Sequence, residues 1–91
     1  MLLNIYPEFV YSHQFSSELD SLEPHPFKQD RLIDQIERQC RKQIMQGVTG
    51  HAVVRALWKG DPLLVWFHAS NAEHAEMLSI RREAAVLLQA A

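Results

Sequence analysis

The residues best suited to chemistry in this chain are its single cysteine, Cys40, and the histidines and glutamate at His51, His68, Glu73 and His74. His68 and His74, joined by His51 or Glu73, have the donor types of a zinc site. Histidine ligands on zinc normally show tighter local spacing, and no HxxxH, HExxH or CxxC occurs here. The simpler reading makes His68 a strand-end residue and His74 a polar residue in the first turn of a helix. Glu73 beside His68 has the makings of a general acid–base pair. It also stands three residues after Ser70, the spacing of a capping box that would start a helix at about Asn71. Cys40 falls within an apolar helical stripe, where a thiol behaves as a small hydrophobe; a nucleophile needs an electropositive, partly exposed setting. Gly47-Val48-Thr49-Gly50 is not followed by Gly-Lys-Ser/Thr, so it reads as a helix end and reversal and not as a phosphate cradle. No catalytic residue, metal ligand or cofactor emerges from these groups, and an enzyme is not expected.

Binding chemistry is better represented. Arg31, Gln35, Arg38 and Lys42 recur at helical spacing along one face, with Arg55 and Lys59 further along the chain. Such a row suits phosphates or an acidic protein surface, and Asp34 and Glu37 partly neutralise it. Tryptophan is enriched at binding hot spots, and both tryptophans, Trp58 and Trp66, lie in the densest apolar stretch. The candidate binding set is therefore Arg31, Arg38, Lys42, Arg55, Trp58 and Lys59. Trp66, in the more apolar segment, is assigned to the core, and Trp58, next to a turn, to the contact surface.

The elements that must position these residues follow from periodicity. Leu32, Ile33, Ile36, Cys40 and Ile44 share one stripe of a long helix from about Phe27 to Gln46, which Gly47 ends. Asp34–Arg38 and Glu37–Arg41 are i,i+4 pairs in the favourable order. Two structures compete for the stretch 47–74. One is a β-hairpin with strands near 51–59 and 63–68, closed by a three-residue loop Gly60-Asp61-Pro62 so that Pro62 avoids a hydrogen-bonded pair. In that register Ala52, Val54, Ala56 and Trp58 share a face with Leu64, Trp66 and His68. The other is helical, with Thr49 as cap and Gly60 just past the end; the hairpin is preferred. Met77, Ile80, Ala84, Leu87 and Leu88 form the apolar stripe of a second long helix, from about Asn71 to Gln89.

Before the first helix, Leu3, Ile5, Phe9 and Tyr11 alternate about Pro7 as an edge strand would, and Ser16–Asp20 suits one helical turn. Leu22-Glu23-Pro24-His25-Pro26 reads as a stiff, extended connector. The first 27 residues contain Glu8, Glu18, Asp20 and Glu23 but no Lys or Arg, so the rest of the chain is net basic although the whole is −2. That acidic segment is expected to fold back on the basic residues Arg81 and Arg82 and the helical row, docked mainly by Phe9, Tyr11 and Phe15.

With 91 residues the chain has room for one domain, 1–91, with 1–26 as its acidic extended N-terminal segment. The fold class expected is α+β: N-terminal extended segment, long helix, β-hairpin and C-terminal long helix, with a small all-α bundle as the alternative. A net charge of −2 gives no electrostatic case for nucleic acid. One cysteine excludes an internal disulfide framework. No apolar run reaches the ~18–20 residues of a membrane span, and MLLNIYPEF lacks the basic start of a signal peptide, which makes the cytoplasm the default location. The expected function is a small protein–protein interaction module, a regulator or inhibitor of a larger protein or complex, of the accessory kind that phages and other mobile elements carry. Its expected partner is a protein, an acidic surface among the candidates, with a second copy of the chain as a further one. A nucleic-acid-binding regulator using the basic helix face is the alternative.

Overall fold

The computed structural model describes residues 8–90, and the side chains of 8–88. Leu3 and Ile5 of the expected N-terminal strand lie outside these residues. The elements run β1 (Glu8–Tyr11), α1 (His13–Leu22), α2 (Pro26–Met45), β2 (Gly50–Trp58), β3 (Asp61–Ala69), β4 (His74–Arg82) and α3 (Glu83–Ala90). The strands form one mixed sheet in the order β1-β4-β3-β2, with β1 parallel to β4 and the other pairs antiparallel.

The α+β class holds, but the expected element list does not. The N-terminal segment is not extended throughout, since residues 13–22 are a helix, and the C-terminal long helix is instead a strand followed by a short helix. Ser12 caps α1, accepting from the Phe15 N–H at 3.0 Å and donating to the Leu78 carbonyl at 2.8 Å. Pro26 opens α2, where a missing N–H costs nothing. Gly47, at φ 99°, ends that helix in the double-bonded pattern of a Schellman cap: Gly47 N–H donates to the Ile44 carbonyl and Val48 N–H to Gln43.

One layer of core lies between the helices and the sheet. Phe15 and Leu19 of α1 and Leu32, Ile36, Cys40 and Ile44 of α2 face Val54, Ala56, Leu63, Val65, Phe67, Ala69, Ala75, Met77 and Ile80 of the sheet. α1 and α2 cover one face of the sheet, and of the helices only α3 lies against the other.

The hairpin register differs from the expected one. The loop is Lys59-Gly60, both at positive φ (53° and 83°), as a two-residue type I′ turn requires. Trp58 and Asp61 then close the turn, and Pro62 faces Leu57 in the next pair, which in antiparallel pairing is not hydrogen-bonded. Proline is harmless there without any third loop residue. Ala52, Val54, Ala56 and Trp58 consequently share the core face with Leu63, Val65 and Phe67, while Leu64, Trp66 and His68 turn outward. An odd shift in register exchanges the two faces of a strand.

Ser70–Glu73 is a hairpin loop between β3 and β4 and not a capping box. The Asn71 side-chain oxygen accepts the N–H groups of Glu73 (2.7 Å) and His74 (3.0 Å), and Ser70 contributes its backbone N–H to the His74 carbonyl. Asparagine mimics a backbone turn in this way. Asn71→Ala is therefore expected to cost about 1 kcal/mol, read as a lower urea midpoint, whereas Ser70→Ala leaves the midpoint almost unmoved. The opposite ranking would restore the helix start at this position.

Candidate interaction surface

The two edges of the sheet are treated very differently. On one side β1 pairs with the first half of β4, from Glu8 beside His74 to Tyr11 beside Met77. Beyond Tyr11 the chain turns into α1, which takes over that edge. Glu18 of α1 accepts the Ile80 backbone N–H (3.1 Å) and the Ser79 hydroxyl (2.6 Å), and meets Arg81 Nε at 2.9 Å. Burial pushes the Glu18 carboxyl up, but these donors outweigh it and hold the group below its ordinary range. The acidic N-terminal stretch is thus built into the domain: Phe15 is fully buried, Phe9 packs on the core beneath the Arg41 guanidinium, and Tyr11 donates to Glu37. Of the expected basic partners it meets Arg81, but not the row on α2.

The other edge is β2, nine residues long. Counting back from the Trp58–Asp61 pair, His51, Val53, Arg55 and Leu57 occupy the pairs that are not hydrogen-bonded to β3. Their N–H and C=O groups therefore point away from the sheet. Only the Leu57 carbonyl has a partner among the described residues, the Gln35 side-chain amide at 2.9 Å. That bond sets the Gln35 side of α2 along the β2 edge. A groove of about 180 Å³ lies on that side, lined by Gln35, Arg38, Gln39 and Lys42.

The outer face of the sheet is incompletely covered. Val53 and Leu57 are 47% and 59% exposed, and cross-strand pairing sets Val53 beside Trp66 and Arg55 beside Leu64. Trp66 and Leu64 are half-buried. The short helix α3 is tied to this face where Glu83 meets Arg55 at 3.1 Å, yet its Leu87 and Leu88 stay largely exposed. Scattered apolar side chains need no explanation, but a cross-strand cluster around a tryptophan on a polar-rimmed sheet is the composition of an interaction surface.

The six expected binding residues fall in three places. Arg38 and Lys42 line the groove on α2; Arg31 is exposed on the same helix and does not line it. Arg38 has no ion-pair partner among the described residues: the expected Asp34–Arg38 pair does not form, whereas Glu37–Arg41 does, at 3.6 Å. Arg55 belongs to the outer face. Trp58 and Lys59 turn instead to Glu23, which is 2% exposed: the indole Nε1–H donates to its Oε1 at 3.2 Å and the Lys59 ammonium lies 2.5 Å from the same oxygen. Trp58 thus packs against the core and Trp66 lies outside, the reverse of their expected assignment.

Glu23 is the residue that sequence reasoning missed. It looked like a connector residue before Pro24, and nothing in its spacing marks it as buried. Lys59 above all, then the Trp58 indole and the His25 N–H, hold its carboxyl down at about 2 against an ordinary 4.5, although burial opposes them. A depressed folded-state value means that the stabilisation is complete above about 4.5 and is lost as pH falls towards about 2. Wild type and Glu23→Gln are expected to differ in stability at neutral pH and to converge across that window. A difference independent of pH would show that the pair contributes by shape alone.

The remaining chemistry-bearing groups are placed apart. His68 faces His51 across the hairpin with ring centroids 4.7 Å apart, while His74 meets Glu8 at the opposite edge, 3.7 Å away. No group of three or more His, Cys, Asp or Glu is arranged to hold a metal among the described residues. Cys40 is wholly buried with its sulfur 3.9 Å from Met77 Sδ, and burial pushes the thiol up to about 12. A thiol so placed is not a nucleophile at neutral pH.

No protein-family model matches the chain, and no curated protein is similar to it. No described helix is long and apolar enough to cross a membrane.

Proposed function

We propose that this protein is a small non-enzymatic interaction module that regulates or inhibits a larger protein by binding it through the uncovered side of the sheet. The observation that carries this reading is the outer face of the sheet, where exposed Val53 and Leu57 stand beside half-buried Leu64 and Trp66 on the side that α1 and α2 do not cover. Rigid strands present these side chains in fixed order, with His51 and His68 paired at one end and Arg55 between Val53 and Leu57. A buried tryptophan anchor with an aliphatic surround is the usual form of a binding hot spot, and truncating one costs at least about 2 kcal/mol of affinity.

The test is affinity capture from the native host with three baits: wild type, Trp66→Glu, and the triple variant Arg31→Glu/Arg38→Glu/Lys42→Glu. The reading expects a discrete protein retained by wild type and lost with Trp66→Glu while thermal unfolding stays cooperative. Recovery of nuclease-sensitive material that only the triple variant loses, and that falls away steeply with salt, would support the nucleic-acid alternative instead.

A further inference from the structure

We infer that the edge of β2 is a strand-addition site for an extended segment of a partner protein in which acidic and aliphatic residues alternate. This deepens the protein-binding reading and rests on it. A sheet edge is a ready template for another strand, and proteins normally blunt such edges with proline, bulges, short strands or a covering element. This domain does so at its other edge, where α1 runs beside β4 and Glu18 takes the Ile80 N–H. At β2 it does not: His51, Val53 and Arg55 direct backbone groups outward over five residues with neither proline nor bulge.

The flanks of that edge specify what would pair with it. Successive side chains of an added strand point to opposite faces. One set would project towards α2, into the groove with Arg38 and Lys42, cations for which no ion-pair partner exists among the described residues. The other set would project over the outer face, against exposed Val53 and Leu57. Glu or Asp on the first side and Val, Ile or Leu on the second satisfy both. A second copy of the chain fits less well. Pairing β2 with its own copy would bring two such grooves together, setting Arg38 and Lys42 against the same cations with no carboxylate between them.

The experiment uses the full chain, isotopically labelled, and a capped nonapeptide of alternating Glu and Val. The expected result is saturable binding that shifts the amide signals of His51, Val53 and Arg55. A peptide with Lys in place of Glu, and one N-methylated at alternate amides so that it cannot pair, should each bind at least about tenfold more weakly. Val53→Pro removes an outward N–H and no hairpin hydrogen bond, so it should weaken binding similarly while the β3 and β4 signals persist, and more than Val53→Ala, which trims the same side chain but keeps the N–H. Equal binding of the N-methylated peptide overturns strand addition, and equal binding of the Lys peptide overturns the acidic preference. No binding up to about 1 mM overturns both. Shifts at β2 that depend on protein concentration alone would assign the edge to self-pairing, and an oligonucleotide that shifts Arg38 and Lys42 without β2 would assign the groove to nucleic acid. A captured partner lost with Trp66→Glu but kept by Val53→Pro leaves the protein-binding reading standing and removes this inference.

Discussion

Phe67→Ala is expected to lower the unfolding free energy by about 3–5 kcal/mol, whereas Trp66→Ala, one residue away, should cost only about 1 kcal/mol. Phe67 is fully buried in the core that α1 and α2 form against the sheet, opposite Met77 of β4, and its removal leaves a cavity that the surrounding core cannot fill without moving. Trp66 is larger but only half-buried, on the outer face of the same strand. With total stability of a domain this size at about 5–15 kcal/mol, the first change brings the protein close to unfolding and the second does not. Urea denaturation of the two variants checks the ranking. The three-residue loop register exchanges the faces of β3 and would reverse it.

The second large effect is at Glu18. Glu18→Ala removes the acceptor for the Ile80 N–H, the Ser79 hydroxyl and the Arg81 guanidinium together. Bonds to a charged acceptor contribute more than neutral ones, and a donor left without a partner adds its own desolvation cost, so about 2–3 kcal/mol of stability should be lost. The variant also uncovers the β4 edge. Faster amide exchange at Ile80 and a tendency to associate are expected alongside the lower midpoint. Glu18→Gln, which keeps one oxygen acceptor, should recover part of the stability. A Glu18→Ala protein as stable as wild type, with Ile80 still protected, would mean that packing of Phe15 and Leu19 alone holds α1 on that edge.

These two sites show which parts of the structure the residue pattern revealed and which it hid. Helix α2 was legible because five apolar residues repeat at helical spacing and Gly47 terminates them. The hairpin was legible from LLVWFH and the Gly-Asp-Pro punctuation. Its register was not, because the turn needs a left-handed lysine at Lys59, a conformation that non-glycine residues rarely adopt. Strand β4 was hidden for a different reason. Ala75 and Met77 alternate as a strand should, but β3 pairs Phe67 with Met77 and Trp66 with Ser79, skipping Leu78. That bulge puts the next buried residue, Ile80, three positions after Met77. Three-residue spacing imitates a helix, and the true helical stretch after Arg82 extended the imitation to Leu88. The Trp58–Glu23–Lys59 cluster was hidden because it joins residues 35 or more positions apart that share no local motif. Helical spacing puts Arg38 and Lys42 on one side of α2, but the nearness of that side to the β2 edge depends on tertiary packing through Gln35.

The proposal that a protein partner binds the open side of the sheet can be checked by site-specific photocrosslinking. A crosslinking residue is placed at Leu57, exposed on the outer face beside the β2 edge, or at Met45, which is 81% exposed at the end of α2. In native host extract the Leu57 probe should yield a discrete protein adduct that Trp66→Glu suppresses, and the Met45 probe should not. An adduct formed equally from Met45, or none from Leu57 while wild-type protein still captures its partner, would contradict the claim.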